Sequence, residues 1–167
     1  DVGDLRDFDS YRPGADLHRA ALSLAADGRP SLGASSSLLS GCGLSRASAD
    51  VRGPAVSWDG TRIAFAARSS AAEPLRIYQA NADGSGCARL PGVAAESNEQ
   101  NGVAIHDLAP AYAPDGRLVF ASTRGNLGGG YAYQGPQRTP SQLAPNANLY
   151  VFDPGDRSIR QLSYLLN

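Results

Sequence analysis

A stretch that recurs constrains this chain more than any other feature. Residues 54–68, PAVSWDGTRIAFAAR, return as residues 110–124, PAYAPDGRLVFASTR. Each copy reads as a short apolar strand, a tight Asp-Gly turn, and a second strand that alternates in period two. The Asp-Gly dipeptide tolerates positive φ and so suits a hairpin turn. One such hairpin cannot bury its apolar face alone, so a repeated one implies stacked sheets.

The two copies align in register over a longer span. Pro54 to Gly60 matches Pro110 to Gly116 at an offset of 56, and Arg62–Phe65 matches Arg117–Phe120 at 55. Ile77-Tyr78 matches Leu149-Tyr150 at 72, an offset that holds to Leu90 against Leu162. The jump from 55 to 72 marks an insertion over 125–148, GNLGGGYAYQGPQRTPSQLAPNAN. Loops of this length inside compact repeats carry function or an interface, or pack on their own sheet. Tyr131, Tyr133 and Arg138 are its candidate partner-binding residues.

Four strands are expected in the first copy: 55–58, 61–67, 75–80 and 87–90. The reading divides the chain into an arm and connector (1–50), a first unit (51–90), a connector (91–107) and a second unit (108–167). Nineteen Gly and eleven Pro among 167 residues suit many turns better than long helices. One helix is nonetheless expected over 16–26, DLHRAALSLAA. Leu17, Ala20, Ala21, Leu24 and Ala25 fall at helical spacing there, with Asp16 as N-cap and Gly28 as stop. Residues 30–50, rich in Ser and Gly, read as a connector anchored by Leu38, Leu39 and Leu44.

Charge and composition exclude some partners. The net charge is −1, which gives no electrostatic case for nucleic acid or an anionic membrane. No apolar run reaches the roughly 18 residues of a spanning helix. Leu39-Ser40-Gly41-Cys42 has the local look of a lipoprotein cleavage site, but the residues before it are polar where a signal peptide needs an apolar run. The chain has no Met, so residue 1 is not a translation start and a processed or excerpted piece is expected. Cys42 and Cys87 could pair in an oxidising compartment. Cys87 also aligns with Ile159, the position of a small buried apolar residue, and both readings stand.

The four-strand unit with its Pro-x-x-x-x-Asp-Gly hairpin and a later Tyr before an Asn/Asp turn resembles the TolB-like, WD40-like (PD40) β-propeller repeat. The residues that carry it are Pro54, Trp58-Asp59-Gly60, Arg62–Phe65, Ile77-Tyr78 and Asn81–Gly84. In the second copy they are Pro110, Pro114-Asp115-Gly116, Arg117–Phe120, Leu149-Tyr150 and Arg160-Gln161-Leu162. Trp58 departs from the repeat's usual Pro. The second copy also resembles the propeller of hydrazine-synthase alpha-subunit-like proteins, whose catalysis depends on haem; no Cys-x-x-Cys-His attachment motif occurs here. The resemblance implies an all-β fold, two four-stranded antiparallel blades of a larger propeller. Such propellers have about 4–8 blades, so the remaining blades or neighbouring chains are expected as partners.

The remaining residues offer few arrangements suited to chemistry. Asn81, Asp83, Ser85 and Gly86 match the front half of a calcium loop, but the bidentate Glu it needs would fall on Gly92. With two His in all, no His-rich metal site can form within the chain. His106-Asp107 lies just before the inner strand of the second copy, where Asp50 stands in the first. This pair would either face a ligand in the axial channel or cap a strand end in solvent, the latter being favoured. No nucleophile elbow or phosphate loop occurs. The function expected is therefore a non-catalytic scaffold in a secreted or periplasmic assembly, with no cofactor and with the outer membrane as one place of association. The alternative is the propeller segment of a larger enzyme, hydrazine-synthase-like or peptidase-like, with its catalytic residues elsewhere.

Overall fold

A computed structural model describes residues 10–90, 98–100, 103–124 and 147–164. The chain begins with an antiparallel hairpin, β1 (His18–Leu24) and β2 (Pro30–Ser37), followed by a 3-10 turn at Leu39–Cys42. β3 (Asp50–Val56), β4 (Arg62–Arg68), β5 (Arg76–Asn81) and β6 (Ala88–Arg89) form a four-stranded antiparallel sheet in sequence order. A small ladder of β7 (Glu99–Gln100) and β8 (Val103–Ala104) precedes the second four-stranded sheet. That sheet comprises β9 (Asp107–Tyr112), β10 (Leu118–Ser122), β11 (Asn148–Phe152) and β12 (Ile159–Gln161), again in sequence order.

The helix expected over 16–26 is instead β1 and part of its turn. Its apolar stripe is not buried as one face: Leu17 packs against the core, while Leu24 is 70% exposed. What decides the conformation is pairing with β2, a segment read as a structureless connector, which satisfies the backbone groups of β1. Asp27-Gly28 serves as the hairpin turn rather than a helix stop, with Gly28 at φ 80° and its N–H donating to the Ala25 carbonyl. Asp16 caps no helix; it accepts a hydrogen bond from the Ser37 hydroxyl at 2.7 Å and lies 2.9 Å from His18 Nε2.

Both inner strands contain a bulge at the same place. The register of β3 against β4 shifts between Arg52 and Ala55, across Gly53-Pro54. That of β9 against β10 shifts between Leu108 and Ala111, across Ala109-Pro110. A bulge lets Pro sit in a strand without breaking a ladder hydrogen bond. The bulged Gly53 and Ala109 both have positive φ, 55° and 47°. The first strand thus starts at Asp50, earlier than expected, and Trp58 lies in the turn beyond its end.

The alternation of each strand divides its side chains between two cores. Ala64, Ala66, Ile77 and Leu90 of the first sheet pack on Tyr112, Leu118, Phe120, Tyr150 and Phe152 of the second. On the opposite face of the first sheet, Phe65 and Ala67 pack with Leu39, Leu44 and Ala49, and Ile63, Tyr78 and Cys87 border that cluster. The N-terminal segment therefore covers one face of the first sheet and the second sheet covers the other. Two consecutive up-and-down sheets stacked face to face are the arrangement of propeller blades.

Repeat-equivalent residues make the relation between these faces explicit. Ile63, Phe65, Tyr78 and Cys87 stand where the second sheet has Leu118, Phe120, Tyr150 and Ile159. The N-terminal segment thus occupies, against the first sheet, the place that the first sheet occupies against the second. A disulfide between Cys42 and Cys87, Cα atoms 4.7 Å apart, ties this cover to the sheet. Cys87 borders the core and is also bonded, so the two readings of it were not exclusive.

Candidate interaction sites at the two rims

In an antiparallel four-stranded sheet, the turns after the first and third strands lie at one end and the turn after the second at the other. The two ends of these sheets carry different chemistry.

At the β4–β5 end lies a buried ionic cluster. Asp107 accepts a hydrogen bond from Arg124 Nη2 at 2.6 Å and from Arg76 Nη1 at 3.3 Å, all three residues being buried. The Arg124 guanidinium also lies over the rings of Phe120 and Tyr150, 5.5 and 5.3 Å from their centroids. The first sheet repeats the pattern: Asp50 accepts from Arg68 Nε at 3.0 Å and Nη2 at 2.9 Å. Arg52 and the Arg12 N–H donate to the same carboxylate, while Arg52 also donates to the Ser10 carbonyl. Burial alone would raise the Asp50 carboxyl, but these hydrogen bonds outweigh it and hold the group below the ordinary carboxylate value.

His106 and Asp107 fall within this cluster. His106 is 2% exposed, which overturns the solvated-cap reading. Its N–H donates to Thr123 Oγ1 at 2.8 Å, and its Nδ1 accepts the Leu75 N–H at 3.2 Å. Asp107 continues the link through its own N–H, which donates to the Leu75 carbonyl at 2.8 Å. The pair, weighed as ligand-facing or as a solvated cap, is thus engaged by protein groups that tie the residue before β5 to the start of β9. Tyr131, Tyr133 and Arg138 lie outside the described residues.

The opposite end forms an open cleft of about 530 Å³ between the two Asp-Gly turns. Trp58, Arg62, Tyr112, Pro114, Asp115 and Pro154 line it, among others. Trp58 is 74% exposed, yet its Nε1–H donates to the Tyr112 carbonyl at 2.9 Å and so bridges the sheets. Gln79 Nε2 donates to the Tyr112 hydroxyl at 2.7 Å. Hydrogen bonds from the Ser57 hydroxyl and from the Thr61 N–H and hydroxyl hold Asp59 down at about 2. Asp115 is lowered chiefly by Arg117, whose Nε donates to it at 2.8 Å.

The calcium-like turn is closed on itself. Asp83 Oδ1 accepts from the Ser85 N–H and hydroxyl, and Asn81 Nδ2 donates to Ser85 Oγ. Among the described residues, no three His, Cys, Asp or Glu side chains gather in a group that could hold a metal ion. No helix of the described residues is long and apolar enough to cross a membrane.

Sequence reading missed both the ionic cluster and the cleft. The signal for the first was present, since Arg68 and Arg124 close the two copies of the repeat. Their partners Asp50 and Asp107 stand 18 and 17 residues earlier. For the cleft the one signal was the departure at Trp58.

No protein-family model and no curated protein matches the sequence. Among solved structures, one similar to this chain is a putative TolB from Agrobacterium tumefaciens. It shares 17% identity over 86% of this chain and 44% of its own, with a TM-score of 0.46. A TolB from Acinetobacter baumannii shares 17% identity over 89% of this chain and 44% of its own, with a TM-score of 0.37. The chain spans less than half the length of either.

Proposed function

We infer that this chain is a non-catalytic β-propeller segment, a structural or protein-interaction scaffold in a larger secreted or periplasmic assembly. One observation carries the reading. The first sheet presents Ala64, Ala66, Ile77 and Leu90 to the second. At the equivalent positions the second sheet has Val119, Ala121, Leu149 and Leu162, a face with no cover among the described residues. Leu149 and Leu162 are 47% and 50% exposed. A surface built like one that takes a blade is best explained by a further blade, from this polypeptide or a neighbouring chain.

The Cys42–Cys87 disulfide supports an oxidising compartment such as the periplasm or the cell exterior. A larger enzyme containing such a propeller, hydrazine-synthase-like or peptidase-like, would present the same open face, and no arrangement among the described residues favours it over a scaffold.

The test is Leu149→Arg in the intact native protein. A half-exposed side chain tolerates Arg in this sheet, so this chain's disulfide and circular dichroism should be unchanged. The native particle should lose mass, or its next blade should become open to protease. An unchanged particle with unchanged protease resistance would overturn the reading.

A further inference from the structure

We propose that the cleft between the two Asp-Gly turns binds an extended acidic peptide, with Trp58 as its stacking platform and Arg62 as its charge. The site is independent of what covers the open face of the second sheet, which is on a different surface.

Trp58 is held in place while its ring stays exposed. An indole exposed this far gains little from burial, yet its Nε1–H is fixed to the Tyr112 carbonyl across the gap between sheets. One edge is satisfied and immobilised while a broad aromatic face remains in water. A ring held this way has already lost its rotamer freedom, which is what makes an aromatic anchor effective in binding. Pro114 and Pro154, both rigid, form other parts of the wall.

Charge within the cleft is unevenly paired. The cleft contains two carboxylates and both are engaged: Asp59 by Ser57 and Thr61, Asp115 by Arg117. Arg62 lines the same cleft and has no acidic partner among the described residues. The contrast with the second turn explains why. There, Asp115-Gly116-Arg117 sets Arg beside the carboxylate it pairs with. Here the extra residue Thr61, together with Ser57 in place of Ala113, satisfies Asp59 without the guanidinium. The substitutions that free Arg62 stand beside the one that introduces Trp58 at the position of Pro114.

A guanidinium and a nearby hydroxyl are suited to a carboxylate. The Tyr112 hydroxyl accepts from Gln79 and keeps its own proton to donate. Asp59 and Asp115 are each held by their own donors, which leaves Arg62 to meet an incoming carboxylate. The cleft is open to solvent and its volume falls within the range of ligand sites.

Trp58 is the sole tryptophan, so its fluorescence reports on this cleft alone. The probes are two pools of acetylated, amidated pentapeptides with Pro, Leu or Phe flanking a central Glu in one pool and a central Gln in the other. The Glu pool should change Trp58 emission saturably, and the Gln pool should bind about tenfold more weakly or worse, as loss of a charge-assisted hydrogen bond requires. Arg62→Gln should weaken the Glu pool by a similar factor with an unchanged melting temperature. If Trp58 merely braces the sheets, Trp58→Phe lowers the melting temperature and neither pool alters emission of the unsubstituted protein. That result, equal binding of both pools, full binding by Arg62→Gln, or a response to a ten-residue oligothymidylate in place of the peptides would each overturn the proposal.

Discussion

Arg76, on the third strand of the first sheet, directs its guanidinium to Asp107, the first residue of the second sheet, at 3.3 Å with both side chains buried. Asp107 is simultaneously paired with Arg124 of its own sheet. One carboxylate thus neutralises a buried cation from each blade. Asp107→Ala should cost about 3–5 kcal/mol, since it leaves two guanidiniums buried without that counter-ion. Arg76→Met should cost less, about 1–2 kcal/mol, because Arg124 still neutralises the carboxylate. Urea denaturation of the two variants checks the order.

Acid should act through the lowered carboxylates. Asp50 and Asp59 ionise more readily in the folded protein than in the unfolded chain, where an Asp titrates near about 3.9. Their stabilisation is therefore present above that value and lost as pH falls through the folded value, which for Asp59 is about 2. Stability should hold from neutrality to about pH 5 and fall from about pH 4 towards pH 2. Asp50→Asn should lower stability at neutrality and flatten the acid slope, as read from denaturation midpoints across this range.

The two apolar faces of the second sheet should respond differently to truncation. Phe120→Ala opens a cavity in the core between the sheets and should cost about 3–5 kcal/mol. Leu149→Ala, on the half-exposed face, should cost less than about 1 kcal/mol in the 167-residue chain. Equal losses would mean that the second face is already covered within this chain.

Reduction should act on the N-terminal cover first. The Cys42–Cys87 bond closes a loop across a sequence separation of 45, worth about 4 kcal/mol in the chain-entropy account. Reductant, or Cys42→Ser with Cys87→Ser, should lower the melting temperature and expose the segment around Leu39 and Leu44 to protease before either four-stranded sheet is cut.

The parts of this fold legible in the sequence were those governed by local rules. Asp59-Gly60 and Asp115-Gly116 fix their hairpins, and the alternation of Ile63 and Phe65 against Ala64 and Ala66 assigns two faces. The hairpin of β1 and β2 was illegible because the spacing of Leu17, Leu24 and their neighbouring alanines suits a helix. Its true partner, PSLGASSS, has little apolar alternation to announce a strand. Long-range polar pairs were hidden for a different reason. Arg68 and Arg124 repeat visibly, but only the folded sheets bring Asp50 and Asp107 to them. The burial of His106 likewise depends on Leu75 and Thr123, remote in sequence and adjacent in the fold.

The central claim is that the face bearing Val119, Ala121, Leu149 and Leu162 is covered by a further blade in the native assembly. Hydroxyl-radical footprinting of the intact native protein, read by mass spectrometry, tests it most directly. The account predicts that Leu149 and Leu162 are protected to the level of Ile77 and Leu90, while Leu22 and Leu32 on the exposed hairpin are oxidised. Oxidation of Leu149 and Leu162 at the rate of Leu22 and Leu32 would contradict it.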